Sequence, residues 1–124
     1  MMRRLARLSL LAAFALLTLT PGLAGASALR SGVNGSVKRG PTQPACQIGT
    51  PCTAPVAGAR ITFSRGAVVR HVRTNNRGRY SIHLAPGRYA VRVSGARFGY
   101  SPRKVTVRRG QMSRLNIYID TGLR

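Results

Sequence analysis

Few side chains in this sequence are able to perform acid–base chemistry. The 124 residues include 21 Lys or Arg but a single acidic residue, Asp120, and the formal net charge is +20. Catalysis by paired carboxylates and Ca²⁺ binding by a carboxylate cage each need several acids, so both are excluded. A Ser/His/Asp triad would have to combine Asp120 with His71 or His83, and no nucleophile-elbow motif is present. The sequence therefore predicts a protein that is not an enzyme.

The cysteines are a second set of reactive side chains. Cys46 and Cys52 are the two cysteines of the chain, and they enclose the five residues QIGTP. A metal site would need two further ligands, and His71 and His83 are the two available histidines, so we expect no metal and no other cofactor. In an exported chain the two cysteines are expected to form a disulfide. Closing so short a loop contributes about 2 kcal/mol, so the disulfide is predicted to hold the loop rather than the whole domain.

Residues 1–28 have the three parts of a secretory signal peptide. MMRRLAR is basic, LSLLAAFALLTL is apolar, and TPGLAGASA ends in small residues. The apolar run is shorter than the roughly 20 residues that span a bilayer. We expect cleavage after Ala26 or Ala28, which leaves residues 29–124 as one domain without a transmembrane segment. The predicted location is secreted, extracellular or associated with the cell envelope.

The remainder of the chain has the pattern of a β protein. Short apolar alternation between Gly and Pro residues predicts antiparallel strands, about seven in all, as in a β-sandwich. We place them near residues 31–38, 59–64, 68–74, 79–84, 88–93, 103–108 and 115–119. The alternation predicts these inward residues: Val33, Val37, Ala59, Ile61, Phe63, Tyr80, Ile82, Leu84, Tyr89, Val91, Val93, Val105, Val107, Leu115, Ile117 and Ile119. The Pro-rich segment 39–58 is predicted to be a loop that contains both cysteines. Which face of the strand at 68–74 points toward the core stays open, because Val69 alternates out of phase with Val68 and Val72.

The clearest alternation lies on either side of Ala85-Pro86-Gly87. Apolar residues alternate with basic or polar ones in both flanking strands, which predicts a hairpin with one apolar and one basic face. The outward basic residues of this predicted hairpin are Arg79, Arg88 and Arg92.

The same region resembles a known family. The run TNNRGRYSIHLAPGRYAVRV (Thr74–Val93) resembles the TDxxGxYxxxLxPGxYxV pattern of carboxypeptidase-regulatory-like domains. PVAGARITF (Pro55–Phe63) is similar to that family's PxxGAxV strand, and GVNGSV is similar to its opening strand. The resemblance implies a transthyretin-like or prealbumin-like, Ig-like sandwich and a non-catalytic module. Asn75 stands where the family usually has Asp, and its side chain is still able to accept a hydrogen bond in the turn.

Two aromatic residues suggest a contact loop. Phe98 and Tyr100 lie two apart between Arg97 and Arg103. They are expected either to fold over the edge of the sandwich or to form a small exposed contact site.

The excess of positive charge is the main indication of function. Like charges on neighbouring strands cost about 0.2–1 kcal/mol per opposed pair unless an anion binds there. We therefore predict a polyanion-binding surface at Arg79, Arg88 and Arg92, with wall polymers, acidic polysaccharides or lipid headgroups as partners and no dedicated small-molecule substrate. Three alternatives stay open: a charge that serves only solubility, a structural or protein-interaction module that uses the 40–58 loop or a sheet edge, and a carbohydrate-binding-like domain.

Overall fold

Two sheets packed face to face make up the domain. The computed structural model describes residues 30–124. Its strands are β1 (Gly32–Gly40), β2 (Ala54–Pro55), β3 (Arg60–Arg65), β4 (Val68–Arg73), β5 (Arg79–His83), β6 (Gly87–Val93), β7 (Tyr100–Ser101), β8 (Lys104–Val107), β9 (Met112–Arg114) and β10 (Ile117–Asp120). The predicted all-β sandwich is confirmed. The described residues contain ten strands rather than about seven, because β2, β7 and β9 are segments of only two or three residues.

The larger sheet is organised around β1. On one side β1 pairs antiparallel with β5 and then with β2. On the other side it pairs parallel with β9 and then with β10, and β10 pairs antiparallel with β7. The parallel pairs differ from the antiparallel arrangement expected from the sequence. They arise because the chain reaches β9 from β8, which belongs to the other sheet, instead of through a tight hairpin beside β1.

The smaller sheet is antiparallel throughout. Its strand order is β4-β3-β6-β8, so β4 and β8 are its edges. The register with β3 resolves the alternation of β4 that was ambiguous in the sequence: Val72 lies opposite the buried Ile61 and packs against the core. Because β4 is an edge strand, Val68 and Val69 are both about half exposed.

One core lies between the two sheets, and the residues predicted to point inward form it. Val105 is the exception, since it is only partly buried and packs against the core from the edge strand β8. The buried apolar residues are Val33, Val37, Ala59, Ile61, Phe63, Tyr80, Ile82, Leu84, Tyr89, Val91, Val93, Val107, Leu115, Ile117 and Ile119.

The predicted hairpin of residues 79–93 is wrong. β5 pairs with β1 in the larger sheet, whereas β6 pairs with β3 and β8 in the smaller one. Both strands are buried on their apolar faces, and a sandwich buries two such faces by placing them opposite each other across the core. The chain crosses between the sheets at Ala85 and Pro86, where the Tyr89 hydroxyl donates to the Ala85 carbonyl at 2.6 Å.

The larger sheet contains a close backbone approach at Gly35. The pairings of β1 with β9 and with β10 keep the same register, but the strand is interrupted at residues 115 and 116. There the Leu115 carbonyl oxygen lies 2.0 Å from the position that a Cβ on Gly35 would occupy. The same oxygen accepts a hydrogen bond from the buried Tyr80 hydroxyl at 2.5 Å. A side chain at residue 35 would therefore push apart two strands of the sheet.

The disulfide-bonded loop projects from the strands. Cys46 and Cys52 are joined, with 5.6 Å between their Cα atoms, so the predicted disulfide is confirmed. The Thr42 amide donates to the Cys52 carbonyl at 2.9 Å, which closes the base of the loop. The segment predicted as loop, 39–58, also contains the short strand β2.

Two sequence expectations concern the membrane and export. No helix among residues 30–124 has the length and apolar character that crossing a membrane requires. The signal peptide predicted for residues 1–28, with cleavage after Ala26 or Ala28, lies outside the described residues and stays a prediction.

Replacing both Cys46 and Cys52 by Ser should lower the Tm, but the far-UV circular dichroism spectrum should remain that of a β protein. The expected loss is about 2 kcal/mol of unfolding free energy, because the disulfide closes a short loop outside the strands. Thermal and urea unfolding of the oxidised parent and of the double variant measure this. Loss of the β spectrum in the variant would show that the loop holds the sandwich together.

The buried phenol of Tyr80 should make the domain sensitive to alkali. Burial raises the pKa of Tyr80 well above its ordinary value of 10.0. The unfolded chain titrates near the ordinary pKa, so the contribution of the neutral phenol to stability is complete below about pH 10 and decreases as the pH rises toward the raised value. Urea unfolding at about pH 8 and about pH 11 should show a larger alkaline loss in the parent than in Tyr80→Phe. Equal losses in the two proteins would contradict this assignment.

Candidate functional site

The three arginines predicted to form one patch lie on opposite outer faces of the sandwich. Arg79 projects from β5 on the outside of the larger sheet, opposite Ser36 of β1. Arg88 and Arg92 project from β6 on the outside of the smaller sheet. The structure therefore keeps Arg88 and Arg92 together and separates Arg79 from them. The cause is the crossing at Ala85 and Pro86, because residues that point away from the core on facing sheets point in opposite directions.

The outside of the smaller sheet brings together basic residues that the sequence did not group. The register places Arg60 directly opposite Arg73, and Thr62 between His71 and Arg92. Arg88 lies opposite Thr106, and Lys104 opposite Ala90. We define the basic face as the outward basic residues of this sheet: Arg60, Arg73, Arg88, Arg92 and Lys104. Sequence reasoning missed Arg60 and Arg73 because only the pairing of β3 with β4 makes them neighbours.

No carboxylate neutralises the basic face within the described residues. Asp120, the single acid, belongs to the larger sheet and is held by Arg124, with 3.3 Å between Oδ2 and Nη2. The Gly122 amide also donates to its Oδ1 at 2.8 Å, and these contacts lower the pKa of Asp120. Arg60 and Arg73 thus remain opposed as like charges, an arrangement that costs stability.

The edge of the basic face contains a shallow depression. It has a volume of about 380 Å³ and is lined by Arg60, His71, Val72 and Arg73. His71 Nδ1 and Thr62 Oγ1 are 2.9 Å apart and hydrogen-bonded, which orients the imidazole with its other nitrogen away from Thr62. The two guanidinium groups at this opening are donors for an anionic group.

The histidines and Asp120 do not form a catalytic or metal-binding group. His71 lies on β4 of the smaller sheet and His83 on β5 of the larger one. In the described part of the chain, no three His, Cys, Asp or Glu residues come together to hold a metal ion.

Phe98 and Tyr100, the proposed contact loop, differ in exposure. Tyr100 is partly buried, and its hydroxyl donates to the Val91 carbonyl at 2.7 Å, so it packs over the edge of the sandwich. Phe98 is 55% exposed, although its ring packs against Gly122. Arg103 lies over the Tyr100 ring and Arg97 over the Phe98 ring, at 5.0 and 5.5 Å from the ring centres. Phe98 is thus the member of the pair that is available to a partner.

The turn before β5 contains the residue that departs from the resembled pattern. Asn75 Oδ1 accepts hydrogen bonds from the amides of Arg77 and Arg79, at 2.9 and 3.0 Å. The expectation that Asn accepts a hydrogen bond in this turn is confirmed. Gly78 completes the turn with a φ of +74°, in the left-handed region that favours glycine.

The family model of the carboxypeptidase regulatory-like domain matches residues 48–120, more than half of the chain. The protein belongs to this family. The resemblance inferred from residues 74–93 and 55–63 is therefore confirmed. Members of this family are non-catalytic β-sandwich modules. A search of curated proteins finds no match.

The region matched by the family model is shorter than the domain that the structure shows. The match begins after Cys46 and leaves out β1. In the structure β1 is nevertheless the strand around which the larger sheet forms, since it pairs with β2, β5, β9 and β10. The domain therefore includes the residues from 32 onward, although the family model starts later.

Asn75→Ala should destabilise the regulatory-like domain by about 1–2 kcal/mol, because two backbone amides lose their acceptor. Asn75→Asp keeps an acceptor oxygen in the same place and is the matched control, with stability close to that of the parent. Urea unfolding of the three proteins measures the difference. A loss in the Asp variant as large as in the Ala variant would contradict the role assigned to Oδ1.

Proposed function

We propose that this protein is an exported, non-catalytic binding module that associates with anionic polymers of the cell envelope or the extracellular medium through its basic face. The observation that carries the proposal is the direct opposition of Arg60 and Arg73 on β3 and β4, with no carboxylate beside them among the described residues. An anion bound between the two arginines would attract both and offset their repulsion, so the arrangement favours anion binding.

The shape of the basic face favours a polymer over a small molecule. Its cations are distributed across all four strands of one sheet, and the depression beside Arg60 is open and shallow. Charges spread over a flat surface are matched by a ligand that repeats its own charge. Arginine also forms two parallel hydrogen bonds with carboxylate or phosphate oxygens, which suits wall polymers, acidic polysaccharides and lipid headgroups.

A second candidate function is protein interaction through exposed apolar residues. Ile48 at the tip of the disulfide-bonded loop is fully exposed, and Val68 and Val69 are about half exposed on the edge strand β4. Among the strands of residues 30–124, β4 pairs only with β3, so its other edge is open to a partner strand. Salt separates the two functions, because electrostatic association weakens with ionic strength and apolar contact does not.

Changing Arg60, Arg73 and Arg92 to Gln should weaken binding to an anionic polymer by about tenfold at low salt, as expected for three exposed ion pairs. The salt dependence of binding should also become flatter, since fewer counterions are displaced. Binding to immobilised heparin or to purified envelope polymer, at several salt concentrations, measures both effects.

The matched control for this experiment is Arg77, Arg108 and Arg109 changed to Gln. It removes the same charge from turns outside the basic face. Binding as weak in the control as in the basic-face variant would show that net charge rather than this surface attracts the polymer. If neither the parent nor the variants bind the polymer, the positive charge serves solubility instead.

Export should produce a mature chain that begins at residue 27 or 29. The basic start, apolar run and small residues of the first 28 positions support this part of the proposal. Intact-mass measurement of protein recovered from the culture medium or the envelope fraction decides between the two sites. Recovery of the full-length mass from these fractions would contradict cleavage.

A further inference from the structure

The outside of the larger sheet, opposite the basic face, contains a polar depression. It has a volume of about 370 Å³, and its lining residues come from β1, β5, the end of β9 and the break between β9 and β10. We define the β1 trough by the five polar residues that line it: Asn34, Ser36, Arg79, Arg114 and Asn116. The small side chains of the central strand form its floor, and an arginine from each neighbouring strand forms a wall.

The interruption between β9 and β10 produces this arrangement. Where Leu115 turns its carbonyl toward the Tyr80 hydroxyl, the Ser36 amide on the outer side takes the Asn116 side chain as its partner. Asn116 Oδ1 accepts from the Ser36 amide at 3.2 Å and from Ser36 Oγ at 3.3 Å. A backbone N–H group is a donor, so the Asn116 side-chain atom that it contacts must be the amide oxygen and the other must be the nitrogen. The NH₂ group of Asn116 is left as a donor at the trough.

The walls of the trough are positively charged. Arg114 lies opposite Asn34 on one side of β1, and Arg79 lies opposite Ser36 on the other. Their strands are two strand spacings apart, roughly 10 Å, and the two positions are offset by two residues along β1, so their Cα atoms are roughly 12 Å apart. Within residues 30–124 neither guanidinium has a side-chain hydrogen bond or an ion pair. Two unpaired cations therefore face each other across a floor of amide and hydroxyl groups.

We propose that the β1 trough binds an acidic saccharide unit whose charged group is a carboxylate. The arginine guanidinium presents a planar pair of donors that matches a carboxylate. The Asn34, Ser36 and Asn116 side chains supply the mixed donors and acceptors that sugar hydroxyls require. The proposal rests on the proposed function for its choice of an anionic partner, but it uses residues on the opposite sheet and names the class of polymer.

The next outward pair along the sheet extends the trough. Lys38 of β1 lies opposite Tyr118 of β10, one repeat beyond Ser36 and Asn116. Tyr118 is 40% exposed, and its aromatic side chain offers a surface against which the apolar face of a sugar ring is able to pack. A cation and an aromatic ring in line with the trough accommodate a second unit of the same chain.

The test is an NMR titration of the oxidised protein with trigalacturonic acid, an oligomer too short to span many distant charges. We expect the largest amide shifts at Asn34, Ser36 and Asn116. The double variant Arg79→Gln, Arg114→Gln should bind at least tenfold more weakly. Its matched control is Arg108→Gln, Arg109→Gln, which removes the same charge from the segment after β8, outside both surfaces, and should change the affinity less than twofold.

Asn34→Asp is a second variant that keeps both arginines. The Asn34 side chain makes no hydrogen bond among the described residues, so the substitution should leave the Tm unchanged. A carboxylate in the floor would pair with Arg114 or Arg79 and repel the ligand, and binding should again decrease at least tenfold. An unchanged affinity in this variant would overturn the proposal.

Other outcomes distinguish this proposal from the proposed function. Equal affinity for neutral galactotriose or for glycerol phosphate would overturn the assignment of a carboxylate-bearing sugar. Amide shifts confined to β3, β4 and β6 would overturn the site and leave polymer binding at the basic face intact. Loss of heparin binding only in the Arg60, Arg73 and Arg92 variant, together with loss of trigalacturonate binding only in the Arg79 and Arg114 variant, would support both.

Discussion

The hydrogen bond from the Tyr80 hydroxyl to the Leu115 carbonyl, beneath Gly35, is the contact on which the larger sheet depends. It joins β5 to the break between β9 and β10 across the central strand β1. The bond is possible because Gly35 has no side chain where the carbonyl oxygen lies. Leaving the buried Tyr80 hydroxyl without an acceptor would cost about 1–3 kcal/mol of stability. This contact therefore favours a break at Leu115 over a break elsewhere in the strand. The same break leaves the Ser36 amide to Asn116, which shapes the outer surface.

The two outer faces are equivalent in strand periodicity but differ in chemistry. On the smaller sheet the register opposes arginines directly and leaves them on a flat surface. On the larger sheet a central strand with small polar side chains separates the arginines and creates a trough. The first arrangement suits any repeating anion, whereas the second adds groups that bind hydroxyls. If both proposals hold, the module binds one polymer chain, or two neighbouring chains, at two places.

The error about Arg79 shows where sequence reasoning stops. Alternation correctly identified Arg79, Arg88 and Arg92 as outward residues, because period 2 depends only on the local backbone. A Pro-Gly pair between two alternating strands is compatible with a hairpin and also with a crossing between sheets. The choice depends on which strands occupy the edges beside β1 and β3, and those partners lie far away along the chain.

The sequence by itself determined the fold class, the inward residues, the disulfide and the lack of paired acids, because each follows from residue type or local spacing. Only the tertiary structure decided which outward residues are neighbours. Arg60 meets Arg73, and Arg79 faces Arg114 across β1, through pairings between strands. A surface site on a sheet is formed by residues from several strands, and their register is set by burial of the apolar faces beneath them. For that reason the core was predictable residue by residue and the proposed binding surfaces were not.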